Sequence, residues 1–222
     1  TCTKNVRAAV DISRALAQRG VGVVRFDFTG LGESEGDFAD TSFASNVEDL
    51  VAAARYLETE HAAPKILVGH SLGGAAVIQA AAEVPAAVAV ATIGAPADPA
   101  HVTHLLTGSI DEIRAEGEAE VMLAGRKFRI GEKFLDDLEE TRQNELIGAL
   151  DRALLIFHSP VDMIVGIENA ARIYATARHP KSFISLDQAD HLLTDPSDAS
   201  YVGEVLAAWA RKYIPECRAS TE

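Results

Sequence analysis

The chain has 222 residues, of which 48% are hydrophobic and 24% charged, a composition typical of a globular protein with a sizeable core. Acidic residues outnumber basic ones 33 to 20, and the net charge of −13 argues against nucleic acids and anionic membranes as partners. Cys2 and Cys217 lie at opposite ends and form neither a metal-binding spacing nor a disulfide framework. We expect a cytoplasmic protein, since no apolar run reaches ~18 residues and the first residues are not typical of a signal peptide.

Helices and strands alternate through the first part of the chain. Helical periodicity of the apolar residues predicts helices over residues 5–19, 45–59 and 72–83. An apolar, β-branched run predicts a buried strand over residues 21–28, a short strand is predicted over 65–69, and the short apolar run 86–93 is typical of a buried strand. The alternation predicts a parallel sheet, because consecutive parallel strands need a crossover helix between them.

This alternation breaks between residues 98 and 150 and then resumes. The interrupting segment predicts a helix at 101–115, a hairpin of strands 119–123 and 127–130, and a charged helix at 132–150. Strands at 153–158 and 182–186 and helices at 167–177 and 198–213 follow. We therefore expect an α/β fold with a mostly parallel sheet covered by helices on both faces. Residues 1–97 and 151–222 form its core, and residues 98–150 form a lid insertion over the carboxyl ends of the strands, where such sheets bind ligands.

A serine in a glycine-bounded pentapeptide, Gly69-His70-Ser71-Leu72-Gly73, stands where a predicted strand meets a predicted helix. This is the context that a nucleophile elbow requires, so Ser71 is predicted to be a catalytic nucleophile. Gly69 and Gly73 are expected to let the strand and helix approach closely. The backbone N–H of Leu72 is predicted to be one donor of an oxyanion hole, since the helix N-terminus favours developing negative charge.

A serine nucleophile needs a base and an acid that orients the base, in the chain order serine, acid, histidine. Asp162 follows the predicted strand 153–158, and His191 follows the predicted strand 182–186. Both should reach the same sheet edge as Ser71, which predicts a triad. Asp187 and Asp190 compete as the acid but are less favoured, because both lie in the histidine's own loop.

Other histidines and a glycine-rich loop offer further candidates. His70, His101 and His104 are predicted to bind substrate, the last two from a helix in the lid. Their spacing of three also leaves a metal site open, but no further ligands have a convincing spacing, so we expect no metal. A phosphate cradle after residues 21–28 is disfavoured, because no helix opens there and the pattern Gly-x-Gly-x-x-Gly is incomplete. Its glycines are Gly30, Gly32 and Gly36.

The chain resembles the α/β-hydrolase superfamily over nearly its whole length. More narrowly, it resembles the bacterial hydrolase-like domain that is often fused to an OsmC-like, peroxide-reducing domain. Four stretches carry the resemblance: residues 25–36, 69–76, 92–96 and 189–193. The resemblance implies a serine hydrolase that needs no cofactor.

The chain departs from the superfamily pattern at its front. In the superfamily, the sheet begins with a hairpin and a third strand. That third strand lies between the strands that match residues 21–28 and 66–68 of this chain. The loop after that third strand supplies the second oxyanion N–H. We expect that further residues precede this chain, and that the second donor comes from near Thr1 and Cys2 or from just before them. Direct pairing of the two flanking strands would contradict this expectation.

The expected reaction is hydrolysis of a carboxylic ester of small to medium size through an acyl-enzyme on Ser71. Thioester or amide cleavage in the same fold remains open, as does a homodimer. An alternative is a non-catalytic or weakly active module that docks a peroxide-reducing partner. A metal-dependent hydrolase using His101 and His104 is the remaining alternative.

Overall fold

A four-stranded parallel sheet lies at the centre of the computed structural model, which describes residues 3–106, 108–123 and 126–214. The helices are α1 (Arg7–Gln18), α2 (Phe43–Glu60), α3 (Leu72–Ala80), α4 (Ile110–Glu116), α5 (Glu132–Glu140), α6 (Gln143–Ala149), α7 (Glu168–Thr176) and α8 (Pro196–Ala210). The strands are β1 (Ile66–His70), β2 (Ala89–Ile93), β3 (Glu118–Leu123), β4 (Arg126–Gly131), β5 (Ala153–His158) and β6 (Lys181–Ser185). Short 3₁₀ helices span Phe38–Asp40 and Pro99–Leu106.

The sheet has the order β1-β2-β5-β6, and all three pairings are parallel. β2 and β5 are buried along their whole length, as expected of central strands covered on both faces. Val90 and Leu154 point to one face, and Ala91 and Leu155 point to the other. The predicted α/β fold with a parallel sheet is therefore confirmed.

Helices cover both faces of this sheet. α1 and α8 pack against each other and bury Ile12 and Leu206 against one face. α2, α3 and α7 cover the other face, where Val47, Ile78 and Ile173 are buried. The amphipathic pattern of α1 explains its position, because its buried residues recur at helical spacing while the opposite face stays exposed.

The segment between β2 and β5 holds the predicted hairpin, formed by antiparallel β3 and β4. The single charged helix predicted at 132–150 is wrong, because α5 and α6 are separate helices. The Thr141 hydroxyl donates to the Asp137 carbonyl at the end of α5, and buried Gln143 starts α6 by donating to the Ala75 carbonyl of α3. Phe134 belongs to the same apolar core as α2 and α3. The role of this segment as a lid stays a prediction.

The buried strand predicted at 21–28 is also wrong. The segment belongs to neither sheet, and Val23 and Val24 are 39% and 48% exposed. An apolar cavity is lined by both valines and by Val68 of β1, and no strand pairing joins the segment to β1. The segment is held at its start by the Val21 N–H, which donates to the Leu16 carbonyl, and at its end by the buried Asp27 carboxylate, which accepts from the Glu33 N–H. The expectation that another strand lies between the two stays a prediction.

Among the described residues, no helix combines the length and apolar character that crossing a bilayer requires.

Candidate active site

Ser71 occupies a strained turn between β1 and α3. Its φ of 53° and ψ of −128° lie in a region that side chains other than glycine rarely adopt. The Ser71 N–H donates to the Ile93 carbonyl at 2.8 Å, which extends the β1–β2 pairing by one residue. The turn therefore fixes the serine at the carboxyl end of β1, on a rigid support.

Close backbone approach explains why glycines surround this serine. A Cβ on Gly69 would lie 2.1 Å from the Gly73 carbonyl oxygen, and a Cβ on Gly74 would lie 2.5 Å from the Ala95 Cβ. No such contact exists at Gly73, where an added Cβ meets nothing within 4 Å. The prediction that Gly73 itself permits close packing is wrong, because α3 turns the next residue, Gly74, toward the sheet.

The structure brings the three predicted triad residues together. His191 Nε2 lies 3.0 Å from the Ser71 hydroxyl, and His191 Nδ1 lies 2.7 Å from Asp162 Oδ2. The side chains of His191 and Asp162 are only 7% and 2% exposed. These residues come from the loops after β1, β5 and β6, as the topology of a parallel sheet dictates.

Asp162 is held as a carboxylate by donors on both of its oxygens. Its Oδ1 accepts from the backbone N–H groups of Ile164 and Val165, each at 2.9 Å, while Oδ2 faces His191. Burial alone would raise the pKa of Asp162, but the hydrogen bonds from His191, Val165 and Ile164 outweigh it and lower this pKa below its ordinary value. A carboxylate beside Nδ1 keeps the proton on Nδ1 and leaves Nε2 to accept the serine proton.

The two competing acids are engaged elsewhere. Asp190 accepts hydrogen bonds from the backbone and hydroxyl of Thr194, at 2.8 and 2.7 Å. Asp187 accepts from the Ser185 hydroxyl at 2.6 Å. Both carboxylates stabilise the loop around His191, and Asp162 is the one that contacts its ring.

Two residues near the site were not predicted from the sequence to have a role in it. His158, the fully buried last residue of β5, donates through Nε2 to the Val165 carbonyl at 2.7 Å and so supports the turn that binds Asp162. Gly94 has a φ of +54°, and a Cβ there would lie 3.3 Å from both Asp162 Oδ2 and His191 Nδ1. The one feature of the sequence that could have indicated them is their position, because each lies at the carboxyl end of a central strand.

His70, predicted to bind substrate, contacts the base directly. Its Nε2 lies 2.6 Å from the His191 carbonyl oxygen, and the two rings have centroids 4.9 Å apart. Burial, followed by repulsion from His191, lowers the pKa of His70 to about 4. The part of the side chain that is not covered faces an apolar cavity between α1 and β1, so the ring stays neutral near pH 7. Its predicted contact with substrate stays a prediction.

The remaining predicted site groups are described only in part. Leu72 is the first residue of α3, so its N–H has no acceptor within the helix, and its role as an oxyanion donor stays a prediction. Thr1 and Cys2, the suggested source of a second donor, lie outside the described residues. The side chains of His101 and His104, in the 3₁₀ helix Pro99–Leu106, also lie outside them. Among the side chains that the structure describes, no group of three or more metal-binding residues is found.

Comparison with known proteins agrees with this architecture. Residues 7–219 match the sequence pattern of the alpha/beta hydrolase family. The chain belongs to the α/β hydrolase family. The family, the parallel sheet and the esterase among its relatives together support hydrolase activity.

Solved and curated relatives show how far the similarity extends. The esterase domain of a Rhodothermus marinus protein is 54% identical, with a TM-score of 0.78 over 96% of this chain and 83% of that one. Est1E from Butyrivibrio proteoclasticus, solved with ferulic acid, is 20% identical and has a TM-score of 0.76 over 96% and 85% of the two chains. YfhR from Salmonella typhimurium is 24% identical over 80% of this α/β hydrolase, which spans only 57% of YfhR's own length.

Proposed function

We propose that this α/β hydrolase cleaves carboxylic esters through an acyl-enzyme on Ser71. The observation that carries the proposal is the unbroken series of contacts from the Ser71 hydroxyl through His191 to buried Asp162. A hydroxyl is a weak nucleophile until an adjacent base removes its proton, and His191 Nε2 stands at hydrogen-bond distance for that step.

The reaction proceeds in two steps, acylation of Ser71 and hydrolysis of the acyl-enzyme. In the first, Ser71 Oγ bonds to the ester carbonyl carbon while its proton moves to His191 Nε2. Collapse of the tetrahedral intermediate breaks the bond to the alcohol, which leaves with that proton. In the second, His191 takes a proton from water, the resulting hydroxide attacks the acyl carbon, and Ser71 recovers the proton as the acid departs. Asp162 stabilises the imidazolium in both steps, and the Leu72 N–H donates to the oxyanion.

The substrate that we propose is a carboxylic ester of small to medium size. The Rhodothermus marinus relative is named as an esterase domain and is 54% identical, which favours ester over amide chemistry here as well. The Est1E structure is named with ferulic acid, an aromatic carboxylic acid, and shares the fold. We therefore propose acetate and butyrate esters of a good leaving group as first substrates, and esters of aromatic carboxylic acids as the next class.

The direct test is hydrolysis of p-nitrophenyl acetate and butyrate by the purified chain and by Ser71→Ala. The proposal predicts turnover that Ser71→Ala reduces by on the order of 10⁴-fold or more. Ser197→Ala is the matched control, because this exposed hydroxyl only contacts Asp195 at the start of α8 and its loss should leave kcat/KM unchanged. A folded wild-type chain without turnover, or a Ser71→Ala variant with full turnover, would contradict the proposal.

A further inference from the structure

The loops that carry Ser71 and His191 are joined by a contact outside the triad. His70 immediately precedes Ser71, and its Nε2 lies 2.6 Å from the backbone carbonyl oxygen of His191. A carbonyl oxygen only accepts, so Nε2 of His70 carries a proton and donates it. The residue beside the nucleophile therefore binds the backbone of the base, although the two are 121 positions apart in the sequence.

We propose that His70 is a positioning residue, which fixes His191 relative to Ser71 through this hydrogen bond and does not bind substrate. This inference rests on the proposed function, because it assigns His70 a role in the same site. The bond matters because the 3.0 Å contact between His191 Nε2 and Ser71 Oγ depends on two loops keeping their separation. A displacement of about 1 Å at such a contact costs roughly 100-fold in rate.

The loop of His191 is anchored to the core by the buried side chains of Ala189 and Leu193, whereas its own hydrogen bonds are mostly internal. Its internal bonds join Asp190 to Leu193 and Thr194, and Leu193 adopts a positive φ of 51°. These bonds shape the loop but do not fix its distance from Ser71. Among the described residues, three hydrogen-bond contacts reach from His191 to other loops: its ring contacts Asp162 and Ser71, and its backbone carbonyl contacts His70.

The neutral state of His70 suits this position. Its ring centroid lies only 4.9 Å from that of His191, which becomes positively charged when it takes the serine proton. A second charge there would oppose that step, whereas a neutral Nε2–H donor supports the backbone without adding charge. Burial lowers the pKa of His70 to about 4, so the ring stays uncharged across the neutral pH range. The apolar lining beside it, including Ile12, Val68 and Leu193, maintains that burial.

Two substitutions separate the donor from the ring. His70→Phe keeps a ring against His191 but removes the donor, while His70→Gln keeps an N–H donor at similar reach. We expect His70→Phe to lower kcat on p-nitrophenyl acetate by about 10- to 100-fold with KM within about twofold, and His70→Gln to recover most of the loss. His61→Gln, at an exposed position after α2, is the matched control and should keep the wild-type kcat. A raised KM with unchanged kcat in His70→Phe would overturn the proposal in favour of substrate contact, and equal losses in both variants would overturn the role of the donor.

A measurement without substrate distinguishes failure of this inference from failure of the proposed function. Proton NMR of the wild type should show a slowly exchanging, downfield Nδ1–H of His191 bonded to Asp162. His70→Phe should lose that signal through faster exchange, and His70→Gln should retain it. This result supports the positioning role even if the esters tested are not hydrolysed. An unchanged signal in His70→Phe would refute the positioning role even in an active enzyme.

Discussion

Adding a methyl group to each of two adjacent glycines at the start of α3 should change the free energy of unfolding in opposite directions. A Cβ at position 74 would lie 2.5 Å from the Ala95 Cβ and 3.2 Å from the Gly69 carbonyl oxygen, so Gly74→Ala must push α3 from the sheet. Such overpacking costs about 1–3 kcal/mol. The added Cβ of Gly73→Ala meets nothing within 4 Å. This variant should therefore gain the ~1 kcal/mol of stability by which alanine is more favourable than glycine in a helix.

Urea unfolding followed by circular dichroism measures both free energies on one scale. After the same helical gain of ~1 kcal/mol is counted for both, Gly74→Ala should lose about 0–2 kcal/mol of unfolding free energy and Gly73→Ala should gain up to ~1 kcal/mol. Gly74→Ala should also lower kcat, because a shifted α3 displaces the Leu72 N–H from the oxyanion. Equal destabilisation by the two variants, or a gain of stability in Gly74→Ala, would refute the assignment of the close approach to Gly74.

Three further predictions follow from the site. The unfolded chain binds a proton on His70 below pH ~6.5, whereas the folded chain does so only below about 4, so stability falls as pH drops through that window. Between pH 7.5 and 5 the wild type should therefore lose up to about 2 kcal/mol more than His70→Gln in urea unfolding; equal losses would show that His70 titrates normally. Gly94→Ala, with φ +54° and a Cβ 3.3 Å from the Asp162–His191 pair, should cost about 1–2 kcal/mol and lower kcat with little change in KM; wild-type kinetics would argue against tight packing there. Ser71→Gly should abolish ester hydrolysis yet raise the free energy of unfolding by about 1 kcal/mol, because glycine adopts the positive φ of 53° without strain; a loss of stability would contradict the strain.

Local signals allowed much of this fold to be predicted. The apolar run before the elbow and the alternation of strands with helices identify β1, β2, β5 and β6, because both patterns are visible in the sequence itself. The order of Ser71, Asp162 and His191 followed from where parallel strands end. These predictions needed only the direction of each strand and not the detailed path of any loop.

The errors arose where tertiary contacts decide the structure. Residues 21–28 have the composition of a buried strand, but strand formation requires a paired neighbour, and no strand pairing joins this segment to β1. The break between α5 and α6 depends on the bond from Gln143 to the Ala75 carbonyl, a contact 68 residues apart. His158 and Gly94 were missed for the same reason, because their roles depend on neighbours that only folding brings near.

Trapping the acyl group is the most direct test of the central claim that Ser71 carries the acyl-enzyme. The wild-type chain is mixed with p-nitrophenyl acetate, quenched in acid within the first turnovers, and digested for peptide mass spectrometry. The account predicts one acetyl group on the Ser71 hydroxyl, and none in Ser71→Ala treated identically. Rapid release of p-nitrophenol with the acetyl group on another side chain, or with no acetylated peptide in either protein, would contradict it.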